Sequence, residues 1–449
     1  MIALALCILA FISCYMAGRR SLGQGLVALL TFGYFYGILR ANLITTYSHF
    51  IFDAGMIGLF LSPRWRDVPP EEKKRSEKVL IWTAVLMLWP TLLLALPFQP
   101  VMISLVGLRG NIFFIPLLLL GSRLTGKDLI ELSVGLALLD LVAVAFAVAE
   151  YFLGVPRFFP YSQVTLIMYS SADVAGGFLR IPATFTSAHA FGGTMVGTIP
   201  YLIGLWIRSE KRFHRWLALI TLPLTLLGVL MSATRTFFVF AVAMILFVTF
   251  TTPMRGKQRA LFLAIVAMVG ISALSNERFQ RFKSLGDTDS VTDRIAGSVN
   301  RDFWEILAEY PMGNGLGGGG TSIPYFLQGQ VRNPIGMENE YAAILCEQGV
   351  IGLMIWLCFI GWFFSNVGKA FAKSPWSMTR RLVWCLAVIS MITAWLGTGS
   401  LTAIPGTVLL MIAMGWTGVR EPSGPSTSPG YRQPLVPSYG RARVPAPVV

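Results

Sequence analysis

Apolar stretches of about 17–25 residues recur from one end of the chain to the other, each long enough to cross a hydrocarbon core roughly 30 Å thick as a helix. No other feature constrains the fold as tightly. A segment in hydrocarbon must satisfy its backbone hydrogen bonds internally, which a helix does and an isolated strand cannot. Composition agrees: 55% of the 449 residues are hydrophobic and 13% charged, with a mean hydropathy of +0.65, which excludes an ordinary soluble domain. The expected fold is all-α, a polytopic transmembrane helical bundle of about 12–13 spans with a long extracytoplasmic loop.

Spans fall near 1–17, 22–39, 43–61, 79–97, 100–120, 129–153, 186–207, 215–232, 236–252, 258–275, 341–365, 381–397 and 400–418. Met1 to Met16 lacks the basic leader and the A-x-A site of a secretory signal, and Arg19 and Arg20 follow it, so it reads as a span. Residues 1–275 then hold ten spans and an outward loop near 154–185. A large loop with an amphipathic helix occupies 276–340, three further spans 341–418, and a Pro-, Ser- and Gly-rich tail 419–449, expected to be disordered and cytoplasmic.

Alternating crossings divide the loops into two sets, and one set carries 25 of the 36 Lys and Arg residues. The positive-inside bias makes that side cytoplasmic and turns the N-terminus and both long loops outward. The net charge of +14 is spread over many short loops, so it does not imply nucleic acid. Five cysteines lie in apolar stretches without a CxxC pair and read as packing residues. The absence of a fixed-period repeat disfavours an inverted-repeat transporter.

Eleven Lys and Arg residues remain unexplained by topology, among them Arg180, Arg235, Arg294, Arg301 and Arg332 in or beside outward loops. Arg235 stands in "LMSATRTFFVF", a tight turn with almost no polar surroundings; it is a site candidate or an arginine snorkelling to the interface. The arginine fork donates two parallel hydrogen bonds and keeps its charge, which suits phosphate. Outside a cell there is no nucleotide pool, so a lipid-linked diphosphate is the natural activated donor.

Other polar residues leave alternatives open. His189, in "TFTSAHAFGG", reads as a general base or a hydrogen-bonding helix end. Glu338, opening "ENEYAAILCEQGVIGL", reads as a base, an arginine-orienting carboxylate or a helix cap. His49 and Asp53 at i, i+4, with Asp140 and Glu150, form a proton path or interhelical hydrogen bonds, the second being favoured. Asp287 and Asp289 imitate a metal-binding DxD but read as solvated loop carboxylates. Arg294 to Glu309 forms an amphipathic stripe with Ile295, Val299, Phe303 and Ile306, expected to lie in the membrane interface. The run "YPMGNGLGGGG" lacks the GK[ST] ending and preceding strand of a phosphate loop, and reads as a flexible hinge.

"RIPATFTSAHAFGG", "LMSATRTFFVF", "DRIAGSVNRDFWEILAEYPMGNGLGGG" and "MENEYAAILCEQGVIGL" occur in the order of motifs in the O-antigen ligase and polymerase superfamily, which the chain resembles from about residue 100 to 365. These bacterial inner-membrane enzymes act on undecaprenyl-diphosphate-linked glycans. The resemblance implies metal-independent, inverting glycosyl transfer on the extracytoplasmic face, in O-antigen or exopolysaccharide biosynthesis, with no cofactor. Its partners are a lipid-linked glycan donor, a glycan or lipid acceptor, the bilayer and other polysaccharide-assembly proteins. Arg235 and Arg294 match the family's arginines, with Arg301 the alternative to Arg294. Arg180 and His189 join them in substrate binding. At re-entry the ligases carry histidine-asparagine before a tyrosine, whereas this chain has Glu338 and Asn339 followed by Tyr341. That departure favours a polymerase or another glycan-transferring branch, with Glu338 catalytic and Asn339 and Tyr341 near substrate. The rival reading is a flippase-like transporter of lipid-linked glycans; a scaffolding membrane component would need none of these side chains.

Overall fold

The computed structural model describes residues 1–169, 179–252, 256–275, 302–320, 322–337, 339–397 and 399–421. Every regular element among them is helical. In chain order the α-helices are α1 (Ile2–Arg20), α2 (Leu22–Tyr34), α3 (Tyr36–Asn42), α4 (Ile51–Leu61), α5 (Pro70–Leu93), α6 (Val101–Ile112), α7 (Leu117–Ser122), α8 (Gly126–Leu153) and α9 (Leu166–Tyr169). The second half holds α10 (Ala188–Arg208), α11 (Arg212–Met231), α12 (Arg235–Thr251), α13 (Gly256–Ser275), α14 (Asp302–Glu309), α15 (Glu340–Ser365), α16 (Val367–Ala370), α17 (Ser377–Thr393) and α18 (Gly406–Thr417).

The protein is a polytopic helical membrane protein. Among the described residues seven helices are long and apolar enough to span: α1, α5, α6 with α7, α8, α10, α11 and α15; the pair α2 and α3, bent by 41°, makes an eighth if it is one span. Several of the thirteen apolar windows hold shorter helices. The window at 43–61 begins with a 3₁₀ turn at Thr46–Phe50, leaving eleven residues for α4. That at 400–418 turns helical only after Pro405, leaving twelve for α18. Hydropathy averages over such breaks, so it overstates helix length. Ile8, Leu9 and Ile12 on α1 and Leu88 and Leu92 on α5 stay exposed, as side chains facing hydrocarbon must.

A polar knot ties the centre. Asp140 of α8, fully buried, accepts from Tyr34 of α2 at 2.8 Å, Thr198 of α10 at 2.7 Å and Thr225 of α11 at 2.9 Å. In an interior without water each hydroxyl needs a partner, and one carboxylate serves all three. Glycine notches let backbones touch elsewhere: a Cβ on Gly415 of α18 would lie 1.9 Å from the Leu118 carbonyl oxygen of α7. Arg380 of α17 is buried and donates to the carbonyls of Trp416, Thr417 and Val419, capping α18 where the helix dipole favours a cation.

Helix α14 packs on α15: Phe303 and Ile306 turn inward, and the Phe303 ring lies 5.1 Å from that of Trp395. This part of the amphipathic stripe therefore covers protein with its apolar face. Its preceding half, residues 294–301, lies outside the described residues, as do Asp287, Asp289 and the tail from 422 onward.

Candidate functional site

Two left-handed alanines mark the turns that carry the arginines. Ala233 has φ of 50° in the turn from α11 to α12, and Ala183 has φ of 52° in the segment before α10. An L-residue with a side chain pays about 1–2 kcal/mol for this conformation, so it persists only where its surroundings hold it. Around Ala233, Ser232 is buried and its hydroxyl donates to the Val229 carbonyl at 2.7 Å. Around Ala183, the buried Glu150 carboxylate accepts from the Ala183 amide at 2.9 Å, and Ile38 N donates to the Thr184 carbonyl at 3.0 Å. Glu150 thus anchors a loop rather than pairing two helices.

The first turn of α10 joins the two turns. Ser187 caps the helix by accepting from Ala190 N at 3.1 Å, which sets His189 on the opening turn. Arg180 Nη1 lies 3.3 Å from His189 Nε2, and the His189 ring meets Phe237 edge-on at 6.2 Å. A Cβ on Gly192 would come within 2.4 Å of Ser232 Oγ, so glycine alone lets α10 approach the Arg235 turn. Arg180, His189 and the first turn of α12, with Arg235 at its start, are brought to one end of the bundle. Of the remaining candidates, Arg294, Arg301 and Glu338 lie outside the described residues. Asn339 caps α15, accepting from Tyr341 N at 2.8 Å and Ala342 N at 3.2 Å. The Tyr341 hydroxyl donates to the Met391 carbonyl at 2.6 Å and its ring lies 4.5 Å from Trp395. Both side chains fix the start of α15.

The glycine run is not a hinge. Residues 313–319 are buried. Pro311 O accepts from Val350 N at 2.9 Å and Asn314 N donates to the Cys346 carbonyl at 2.6 Å, clasping α15 where Gly349, at φ 68°, breaks the helix. On its other side a Cβ at Gly107 of α6 would meet Gly317 N at 2.2 Å. Irregular backbone at this depth is tolerated because protein covers it and supplies its partners. Glycine serves here for close approach more than for freedom of motion.

Ser322, just past that wedge, lines two adjoining cavities. The larger, about 180 Å³, is lined by Tyr36, Arg40, His49, Arg109, Phe113 and Thr186, among others. The smaller, about 40 Å³, is lined by Asn111, Glu340, Glu347 and Gln348. Gly110, Phe114, Ser322 and Thr402 belong to both. Arg109 holds Asp53 through two bonds, 2.5 Å from Nε and 2.8 Å from Nη2. Glu347 accepts from Asn111 at 2.5 Å with the Gly317 and Gly319 amides facing it, and Glu340 accepts from Gly399 N at 2.6 Å and Ser400 N at 3.1 Å. Thr186, three residues before His189, connects this chamber to the arginine turns.

The profile of the O-antigen ligase family matches residues 219–357. The region so matched is similar to the O-antigen ligase family. It begins in α11, includes the Arg235 turn, α14, the glycine wedge and the first half of α15, and ends past the Gly349 break. The O-antigen ligase family implies membrane glycan processing of ligase or polymerase type, with lipid-linked glycans as substrates. A comparison with curated proteins finds no match. Outside the O-antigen ligase region stand Arg40, Asp53 and Arg109, which sequence reasoning gave no role as a group. Arg40 and Arg109 were visible as two of the eleven basic residues that topology leaves over.

Proposed function

We propose that this protein is a bacterial inner-membrane glycosyltransferase that polymerises or ligates glycan units carried on undecaprenyl diphosphate, working on the extracytoplasmic face. What supports this reading most is the O-antigen ligase match, which runs through both the Arg235 turn and the re-entry segment. The acceptor hydroxyl oxygen attacks the anomeric carbon of the donor sugar. The bond from that carbon to the diphosphate oxygen breaks, its electron pair leaves with the lipid diphosphate, and the hydroxyl proton passes to a carboxylate, for which Glu338 is the candidate. Arg235 and Arg180, with Arg294 or Arg301, stabilise the charge that grows on the leaving diphosphate. The glutamate at the position of the ligases' histidine favours polymerisation.

A flippase-like transporter is the second reading, favoured by the Arg109–Asp53 pair deep in the bundle. Purified protein in liposomes, given lipid-linked oligosaccharide on one face, separates the two. Lengthened or transferred glycan supports the enzyme; glycan that only changes leaflet overturns it.

A further inference from the structure

The larger cavity holds more positive than negative charge. Arg109 is matched by Asp53, whereas Arg40 joins no ion pair among the described residues and its buried Nε has no hydrogen-bond partner among them. Arg40 instead lies over the Tyr36 ring at 5.3 Å. A cation turned into a partly desolvated chamber is offset best by an anion held beside it.

The remaining walls have a different character. Tyr36, His49, Phe113 and Phe114 give flat apolar faces, and Thr186, Ser322 and Thr402 add hydroxyls. A cavity of about 150 Å³ accepts a six-membered ring of benzene size, and this chamber of about 180 Å³ has room for one such ring with a substituent. Aromatic faces covering the ring, few polar groups orienting it and one unmatched guanidinium describe a selective pocket. A lipid diphosphate would use the charge but not the aromatic walls.

We infer that the chamber walled by Arg40, Arg109, Tyr36, His49, Phe113 and Phe114 takes one pyranose ring bearing an acidic substituent, a carboxylate or a phosphate. This rests on the reading of the protein as a glycan-transferring enzyme and names its substrate class: a repeat unit containing an acidic sugar. The smaller cavity, walled by Glu340 and Glu347, continues from the same space and meets the hydroxyl side of the ring. Asp53 acts through Arg109, holding its fork in place, and is a positioning residue.

The test uses full-length protein in lipid nanodiscs and binding by saturation-transfer NMR, with D-glucuronate, D-glucose 6-phosphate, D-glucose and inorganic phosphate as probes. One acidic sugar should bind about tenfold more tightly than glucose, as one charge-assisted hydrogen bond provides. Which of the two wins assigns the substituent. Arg40→Gln should erase the preference and Arg40→Lys retain part of it. Glucose binding as well as both acidic sugars, or inorganic phosphate displacing them at equal concentration, overturns the proposal. The wild-type comparison stands even where a variant fails to fold. No transfer is needed in this measurement: a preference without transfer in liposomes leaves the pocket and removes the enzyme, and the reverse result does the opposite.

Discussion

Arg180 Nη1 and His189 Nε2 meet at 3.3 Å. A guanidinium only donates, so the imidazole accepts through Nε2 and carries its proton on Nδ1. Replacing Arg180 with alanine should lower glycan transfer about 10²–10³-fold, the scale of removing one donor to developing charge. His189→Gln, whose amide oxygen still accepts, should keep more activity than His189→Phe. Transfer measured with radiolabelled lipid-linked glycan decides it; equal activity in the two histidine variants removes the orienting role.

Ala233 forces the turn that begins α12 at Arg235. Ala233→Gly relieves the left-handed conformation and loosens the turn, so the protein should become about 0.5 kcal/mol more stable while transfer falls. Arg235→Ala should abolish transfer with membrane insertion intact. Thermal unfolding in detergent and product yield are the paired readouts. Unchanged transfer in Ala233→Gly would show that the strain does not aim Arg235.

Asp140 accepts from three hydroxyls on three other helices. Asp140→Ala leaves the Tyr34 and Thr225 hydroxyls in search of partners and should cost about 3 kcal/mol, whereas Asp140→Asn keeps one acceptor and should cost about 1 kcal/mol. A thermal shift of equal size in both variants argues that the knot is not held by the carboxylate.

Gly317 at φ 79° would place a Cβ 2.8 Å from the Ile103 carbonyl oxygen, while Gly329 has open space. Gly317→Ala and Gly107→Ala should each destabilise by about 1–3 kcal/mol, and Gly329→Ala by almost nothing. Unfolding curves rank the three. If Gly317→Ala matches Gly329→Ala, the wedge is not seated on α6.

These variants also mark where sequence reading stops. Backbone satisfaction in hydrocarbon made the helical class legible from apolar stretches alone, and basic residues left over by topology pointed to Arg180 and Arg235. The Arg109–Asp53 pair was hidden because its members stand 56 residues apart and nothing local couples them. "YPMGNGLGGGG" declares that its backbone can adopt left-handed angles; it does not declare that Gly107 waits opposite. Glu150 looked like an intramembrane charge until the loop amide of Ala183 supplied its partner.

The wedge is also a constraint on order of assembly. Gln99, between α5 and α6, donates to the Asn314 and Arg332 carbonyls and accepts from Arg332 N, reaching across 215 residues of chain in the first case. Such distant pairings close late in folding. While the chain is still emerging, α6 stands ready but its chamber has no far wall. Only when the segment from Pro311 docks and α15 follows it do the basic and acidic halves share one space. A chain that stops short of Ser322 therefore lacks a wall of that chamber.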